Sequence, residues 1–317
     1  MTLLQPALGT NGGSHSAELF RQAQRDLNLD NQGIAGGTDL KVRAKSTPGA
    51  GIVVGPGAGW VIGKVSALQG TYYVSNPDDD NSASTGLPGS GGTTKSVLVM
   101  LRVEDPQYEG SKTVNTMNSI YTVACAPGAT GDVSGLITGI PLARIDYPAN
   151  TSTITSGMIV DLRAMANPRR QRVLSEYHPT AVEDWGGSTR NLWPFGAFAV
   201  FTPHWATNAI VVATMSQIQY TAPLTGVSRV EYGWNTAAPA DNPNSLDGMD
   251  SGHHLTAAGP LRATVAIAAS FGLPLSYRNR YHFLRVGSLV NAGSTGILRA
   301  DTFSAVVFDM EFFESPT

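Results

Sequence analysis

Ala305-Val-Val-Phe-Asp-Met-Glu-Phe-Phe313 alternates in its second half, where Phe308, Met310 and Phe312 are separated by Asp309 and Glu311. A period of two marks a strand with one buried face and one wet face. The stretch occupies the final residues, so it predicts a closing strand that zips a β-domain shut. Working back from it, 195–202, 209–220, 228–234, 261–270 and 282–290 each read as a strand bounded by turn-forming residues. Six or seven antiparallel strands of this length predict a β-sandwich of jelly-roll type over 181–317, with 235–260 as its main irregular segment.

The first half repeats the pattern at shorter range. Apolar or alternating runs at 40–45, 51–63, 71–75, 96–104, 119–126 and 136–147 predict an N-terminal β-domain over 31–155. Its polar insertion, Asn76-Pro-Asp-Asp-Asp-Asn followed by Ser, Gly and Pro up to Gly92, has almost nothing to bury and is expected to be exposed and mobile. Two short helices are expected. The first covers 16–29, with Leu19, Phe20, Ala23 and Leu27 in helical spacing and Ser14 or Ser16 as cap; with the arm before it, 1–30 forms a docking element in which Leu19 and Phe20 meet a neighbouring subunit. The second rests on Met158, Ile159, Leu162 and Met165 behind Thr155 or Ser156. Pro168 ends it, and Arg169, Arg170 and Arg172 open a basic, extended connector, so 156–180 joins the two domains and its arginines are candidates for bridging to a neighbour's acidic groups.

Composition bounds the partners. At 317 residues the chain is long enough for two domains at about 150 residues each. Charged residues are only 14%, while 35 Gly and 19 Pro make it turn-rich; 42% hydrophobic content still supplies a core. Twenty-one basic against 24 acidic residues give a net charge of −3, which provides no global field for nucleic acid or anionic lipid. The single Cys125 excludes an internal disulfide and thiolate clusters, and it reads as a small buried hydrophobe. The first residues lack the basic region of a signal peptide, and no apolar run approaches the roughly eighteen residues of a membrane span.

Motifs with catalytic chemistry are missing or incomplete. Gly55-Pro-Gly-Ala-Gly-Trp-Val-Ile-Gly-Lys-Val has Ala58 where a phosphate loop needs its first Gly and Val65 where it needs Ser or Thr, so it reads as a β-turn. Asp78-Asp-Asp-Asn lacks the later Gly and acid of a calcium loop. Asp247-Gly-Met-Asp-Ser-Gly-His-His concentrates carboxylates and imidazoles, yet His253 and His254 on an extended chain point to opposite sides and seldom share one ion. Neither a Gly-x-Ser-x-Gly elbow nor a reactive Cys–His pair stands in context. Glu183, Asp184, Glu231, Asp241, Asp247 and Asp250 are scattered acids of the kind any β-protein surface offers. No catalytic residue, cofactor or metal is assigned, and the chain reads as no enzyme. Trp185, Trp193, Trp205 and Trp234, with His253 and His254, are the candidates for contact with a glycan or a partner.

One segment goes further. Ile140-Pro-Leu-Ala-Arg-Ile-Asp-Tyr-Pro-Ala-Asn-Thr-Ser-Thr-Ile-Thr-Ser-Gly-Met-Ile-Val-Asp-Leu-Arg163 resembles a stretch of the minor tail proteins of siphophages infecting actinobacteria, in which a strand ending LARID leads to a helix reading MI.DLR. Asp39-Leu-Lys-Val, Gly59-Trp-Val-Ile-Gly, Gly70-Thr-Tyr-Tyr-Val-Ser-Asn and Tyr108-Glu-Gly add to the likeness, which spans roughly 15–175. The resemblance implies a virion component of the tail tip, baseplate or fibre base, made in the host cytoplasm without a signal peptide and released by lysis. It implies other tail proteins as partners, a homotrimer or another symmetric oligomer, and a role in host attachment. A carbohydrate-binding or carbohydrate-degrading tail protein acting on host cell-wall glycans is the alternative.

Overall fold

The structure is a computed structural model. It describes residues 7–47, 49–81, 87, 90–109, 120–129, 138–233, 246–248, 250–256 and 259–317, with the backbone alone at 121, 191–197 and 247. The chain is mainly β, in antiparallel sheets, and it divides into two units, Met1–Pro168 with Pro316–Thr317, and Arg169–Ser315.

In chain order the first unit holds α1 (Ala17–Leu27), β1 (Gly33–Ile34), β2 (Val42–Ala44), β3 (Ile52–Val54), β4 (Gly57–Ile62), β5 (Thr71–Asn76), β6 (Lys95–Arg102), β7 (Ile120–Cys125), β8 (Gly139–Tyr147) and β9 (Ile159–Asp161). They form the sheets β1-β4-β5, β2-β3 and β7-β6-β8-β9. The continuous apolar run of β6 is covered on both faces: Val97, Val99 and Leu101 enter the main core with Leu142 and Ile145, and Leu98 and Met100 are buried as well. The run expected as one strand over 51–63 is two, because Pro56 offers no N–H to a ladder and Gly57 sits at φ +143°, where a Cβ would strike Asp39. Cys125 is half-buried in β7 rather than fully enclosed, and burial pushes its thiol up.

The helix expected behind Thr155 does not form. Ser156–Met158 makes a single 3₁₀ turn, after which β9 pairs antiparallel with β8 through Ala143↔Asp161, Arg144↔Val160 and Ile145↔Ile159. Gly157 and the β-branched pair Ile159-Val160 disfavour a helix, and the open edge of β8 offers backbone hydrogen bonds instead. The insertion after Asn76 is only partly within the described residues. There it is anchored rather than free: Ser90 is buried, its Oγ donating to Thr151 O and accepting from Thr151 N, while Asp80 bridges to Val54.

The second unit holds β10 (Arg170–Tyr177), β11 (Glu183–Trp185), β12 (Asn191–Thr202), β13 (Asn208–Tyr220), β14 (Leu224–Gly233), β15 (Leu246–Asp247), β16 (Ser251–Leu255), β17 (Leu261–Gly272), β18 (Arg280–Val290), β19 (Leu298–Ala300) and β20 (Ala305–Phe313). One sheet is built on β13, with β17 on one side and β20 then β10 on the other, where β19 and β11 continue it. The second sheet runs β12-β18-β14-β15, with β16 also on β14. Val211, Met215, Phe308, Met310 and Phe312 of the first sheet meet Val230, Tyr232, Leu284 and Val286 of the second, giving a sandwich with one apolar core. The stretch 305–313 is β20, paired on both sides, with Val306, Phe308, Met310 and Phe312 buried. Two expectations change. The basic connector is itself the strand β10, and 235–260, where described, contributes β15 and β16 instead of only loop.

Candidate functional site

His253 reaches inward from β16 and joins the two sheets of the second unit. Its Nε2 lies 2.6 Å from Ser228 Oγ on β14, and its Nδ1 lies 2.9 Å from the Tyr220 hydroxyl on β13. Ser228 Oγ continues to Ser288 Oγ on β18 at 2.5 Å. A serine, an imidazole and a third group that orients it are the parts of a nucleophilic relay. Here all are enclosed, with Ser228 and Ser288 at 0% exposure and His253 at 3%. The network is satisfied when Tyr220 donates to Nδ1, the Nε2–H donates to Ser228, and Ser228 donates to Ser288. Burial holds the His253 imidazole below its usual range, because an enclosed site disfavours the charged imidazolium. This chain of groups pins one sheet to the other. His254, the next residue, is exposed and contacts Thr225 Oγ1 at 3.1 Å, so the two imidazoles part to opposite faces.

The scattered acids are taken up in pairs. Glu231, fully buried, accepts from Arg285 at 2.8 Å and Arg229 at 3.2 Å. Asp184 pairs with Arg299, Asp250 with Arg190, and Glu183 accepts from the Tyr177 hydroxyl, whose pKa that bond and burial raise to about 12. Asp241 lies outside the described residues, and Asp247 is described only by its place opposite Glu231. Among the described residues no group of three or more His, Cys, Asp or Glu could hold a metal ion, and no helix is long and apolar enough to cross a membrane.

The connector arginines are also matched within the chain. Arg169 grips Glu314 through two bonds of 2.7 Å, Arg170 reaches Glu311 at 3.1 Å, and Arg172 reaches Asp309 at 2.6 Å. Asp309 and Glu311 lie on β20, the neighbour of β10, and Glu314 follows its end, so the pairing of these two strands takes up the charge expected to bridge to another subunit. Neither tryptophan of the second unit whose side chain is described presents an open aromatic face. Trp185 is at 0% exposure in the core, and Trp205 packs on that core with the Arg169 guanidinium 5.4 Å from its ring centre. The side chain of Trp193 and all of Trp234 lie outside the described residues.

In the first unit, the Asp-Leu-Arg end of the resemblance segment is a folding device. Arg163 has a fully buried side chain. It clasps Asp161 through Nε at 3.0 Å and Nη2 at 2.7 Å, and donates to the carbonyls of Asp39 at 2.7 Å, Gly37 at 3.3 Å and Thr317 at 3.0 Å. Burial pushes the Asp161 carboxyl up, but the hydrogen bonds and charge of Arg163 outweigh it and the net shift is downward. Sequence reasoning read the motif as a helix end and missed this hub.

The helix α1 carries the docking candidates Leu19 and Phe20. Ser16 caps it, accepting from Leu19 N at 3.2 Å. At 3.6 residues per turn, Glu18, Arg21, Gln22 and Arg25 share one side, and that polar side is the docked one. Arg21 donates to Gln69 O at 2.7 Å, pairs with Asp105 at 3.3 Å and lies between the rings of Tyr72 and Tyr108. Gln22 donates to Ala67 O, and Glu18 accepts from the Tyr108 hydroxyl. Gly70 allows the close approach, since a Cβ there would meet Arg21 backbone at 2.6 Å. The apolar side faces away: Phe20 is 50% exposed and Leu27 78%, with Leu19 and Ala23 half-buried beside them. The helix therefore anchors to its own unit rather than waiting for a neighbour, and leaves its apolar side open.

No family model matches the chain, and no curated protein matches it. Among solved structures, that of the infectious bursal disease virus Gt strain aligns at 10% identity and a TM-score of 0.27, covering 93% of this chain and 82% of that one. The VP2 subviral particle of the same virus aligns at 10% identity and 0.26, covering 90% and 74%. At these values the likeness assigns neither a fold family nor a role.

Proposed function

We propose that the chain is a structural subunit of a virus particle, of the tail-tip or baseplate kind, that acts by contact with neighbouring virion proteins in assembly and host attachment and performs no catalysis. The observation that carries this reading is the inverted seating of α1: a helix whose polar side is consumed by its own unit and whose Leu19, Phe20, Ala23 and Leu27 side is left for a partner. Water-facing apolar stripes of this kind mark interaction surfaces. The segment resemblance over Ile140–Arg163 supplies the kind of particle, and the enclosed state of the Ser228–His253 chain agrees with a role other than turnover. The occupant of the helix face is an apolar surface of a neighbouring virion protein.

Co-purification with the products of the genes flanking its own tests the reading. The native chain is expected to elute with at least one of them, and Phe20→Asp with Leu27→Asp to abolish co-elution while circular dichroism stays unchanged. A native chain that elutes alone, or a double variant that still co-elutes, removes the proposal.

A further inference from the structure

We propose that β17 is a homotypic docking edge, through which two copies of this chain pair antiparallel about a two-fold axis passing close to Ile267. The inference requires only a second copy and is independent of the virion reading.

β17 bonds to β13 along its whole length, from Asn208↔Gly272 to Tyr220↔Leu261, and among the described residues no strand lies on its other side. Alternate backbone N–H and C=O groups of a 12-residue strand therefore face outward. The opposite edge of the same sheet is β10, which carries Arg170, Arg172 and Glu176 on its outer face. Charges placed like that keep foreign strands away from an edge. β17 has no such guard. After Arg262, which pairs with Asp301, no charged residue occurs until Arg278, and no proline before Pro274. One edge of the sheet is closed to other chains by its sequence, and the other is left open.

The sequence of the open edge also says which strand fits it. Thr264-Val-Ala-Ile-Ala-Ala-Ser270 reads nearly the same in both directions about Ile267. In an antiparallel pair with Ile267 opposite its own copy, Thr264 faces Ser270, Val265 faces Ala269 and Ala266 faces Ala268. A two-fold interface demands this property, since each contact must occur twice with the partners exchanged. The two faces of the pair are also consistent. Thr264, Ala266, Ala268 and Ser270 are exposed and small, so they allow close approach and one hydroxyl pairing at each end. Val265, Ile267 and Ala269 turn inward, so the apolar layer of one sandwich would continue into that of the other. The ladder to β13 is regular from Val265 to Gly272, and the bulge at Gln217, with φ +54°, falls at one end. Most of the seven-residue window is therefore straight enough to accept a strand.

Sedimentation velocity of the full chain over a wide concentration range is the primary test, with a reversible dimer expected. Ala266→Lys with Ala268→Lys changes only exposed side chains and sets four ammonium groups against one another across the axis; loss of the dimer is expected. Leu174→Lys, on the guarded edge, is expected to leave it intact. Register is read with cysteines in a Cys125→Ser background: Ala266→Cys mixed with Ala268→Cys is expected to form a disulfide-linked dimer faster than either variant alone. A chain that stays monomeric, a dimer indifferent to the lysines, an oligomer of odd order, or equal cross-linking of mixed and single variants would each overturn the proposal.

Discussion

Arg163 and Arg172 each face a carboxylate from a β-strand, yet they belong to opposite energetic regimes. In the first unit the Arg163 side chain is fully buried and spends its donors on Asp161 and on three backbone carbonyls from distant parts of the unit. In the second unit Arg172 stands 69% exposed beside Asp309 on the outer face of the sheet. The residue types and the contact distances are alike. Burial of the arginine makes the difference: Asp161, 44% exposed, is hydrated if Arg163 is removed, but the three carbonyls that share its buried guanidinium lose their donor, whereas both ends of an exposed pair are taken up by solvent.

The largest effect is therefore expected at Arg163. Arg163→Ala should cost about 3–5 kcal/mol, from carbonyls left without their donor and the space left by a fully buried side chain, read as a lower urea midpoint and as faster hydrogen exchange in β8 and β9. A cost below about 1 kcal/mol would mean that burial does not separate the two regimes. The second unit has its own buried polar pin. His253→Ala removes the partner of the Tyr220 and Ser228 hydroxyls and should cost about 2–4 kcal/mol, with exchange rising in β16 and β14.

The same residue sharpens the contrast through pH. His253 and His282 are both held below their usual range, mainly by burial. His282 donates through Nε2 to Tyr277 O, and its Nδ1 is buried without a partner, so a proton there would go unsatisfied. A group with a depressed folded pKa binds its proton more readily when unfolded. The stability it contributes is present above the ordinary imidazole value of about 6.5 and is lost as pH falls from there toward the folded value. Unfolding midpoints taken between neutral and mildly acidic pH should fall for the native chain and flatten for His253→Ala with His282→Ala. Asp161, Asp301 and Asp309 are held low by their arginines and release their contributions only below about pH 4, so the two windows separate.

How far the sequence could be read follows from where the deciding contacts lie. Period-two strands with their own turn signals were legible: Ala305–Phe313 and the run at β6 depend on local alternation or continuous apolarity. The segment behind Thr155 was misread because Met158, Ile159, Leu162 and Met165 satisfy a helix as well as a strand, and the choice was made by the edge of β8, about fifteen residues away in sequence. The strand β10 was hidden because Arg-Gln-Arg alternates nothing apolar, and its partner β20 lies at the far end of the chain. The parting of His253 and His254 followed from backbone geometry, but that His253 is the inward one depended on Tyr220 and Ser228. In α1 the apolar stripe was visible, whereas its outward direction came from Arg21 lodging between Tyr72 and Tyr108.

The smallest effect closes the comparison. Arg172→Ala is expected to leave the unfolding midpoint unchanged within error in moderate salt, although its bond to Asp309 is as short as any that Arg163 makes. Each end of that pair already sits in water, and screening weakens what remains. What the variant should change is the character of the edge: with Arg172 gone, the outer face of β10 keeps Arg170 and Glu176 but presents an uncharged stretch around Leu174, which is 67% exposed. Light scattering on heating should then show aggregation at a lower concentration than for the native chain at equal stability. A variant that lowers the midpoint without changing aggregation would mean that the ladder serves the fold; the reverse would mean that its arginines act as guards of the edge.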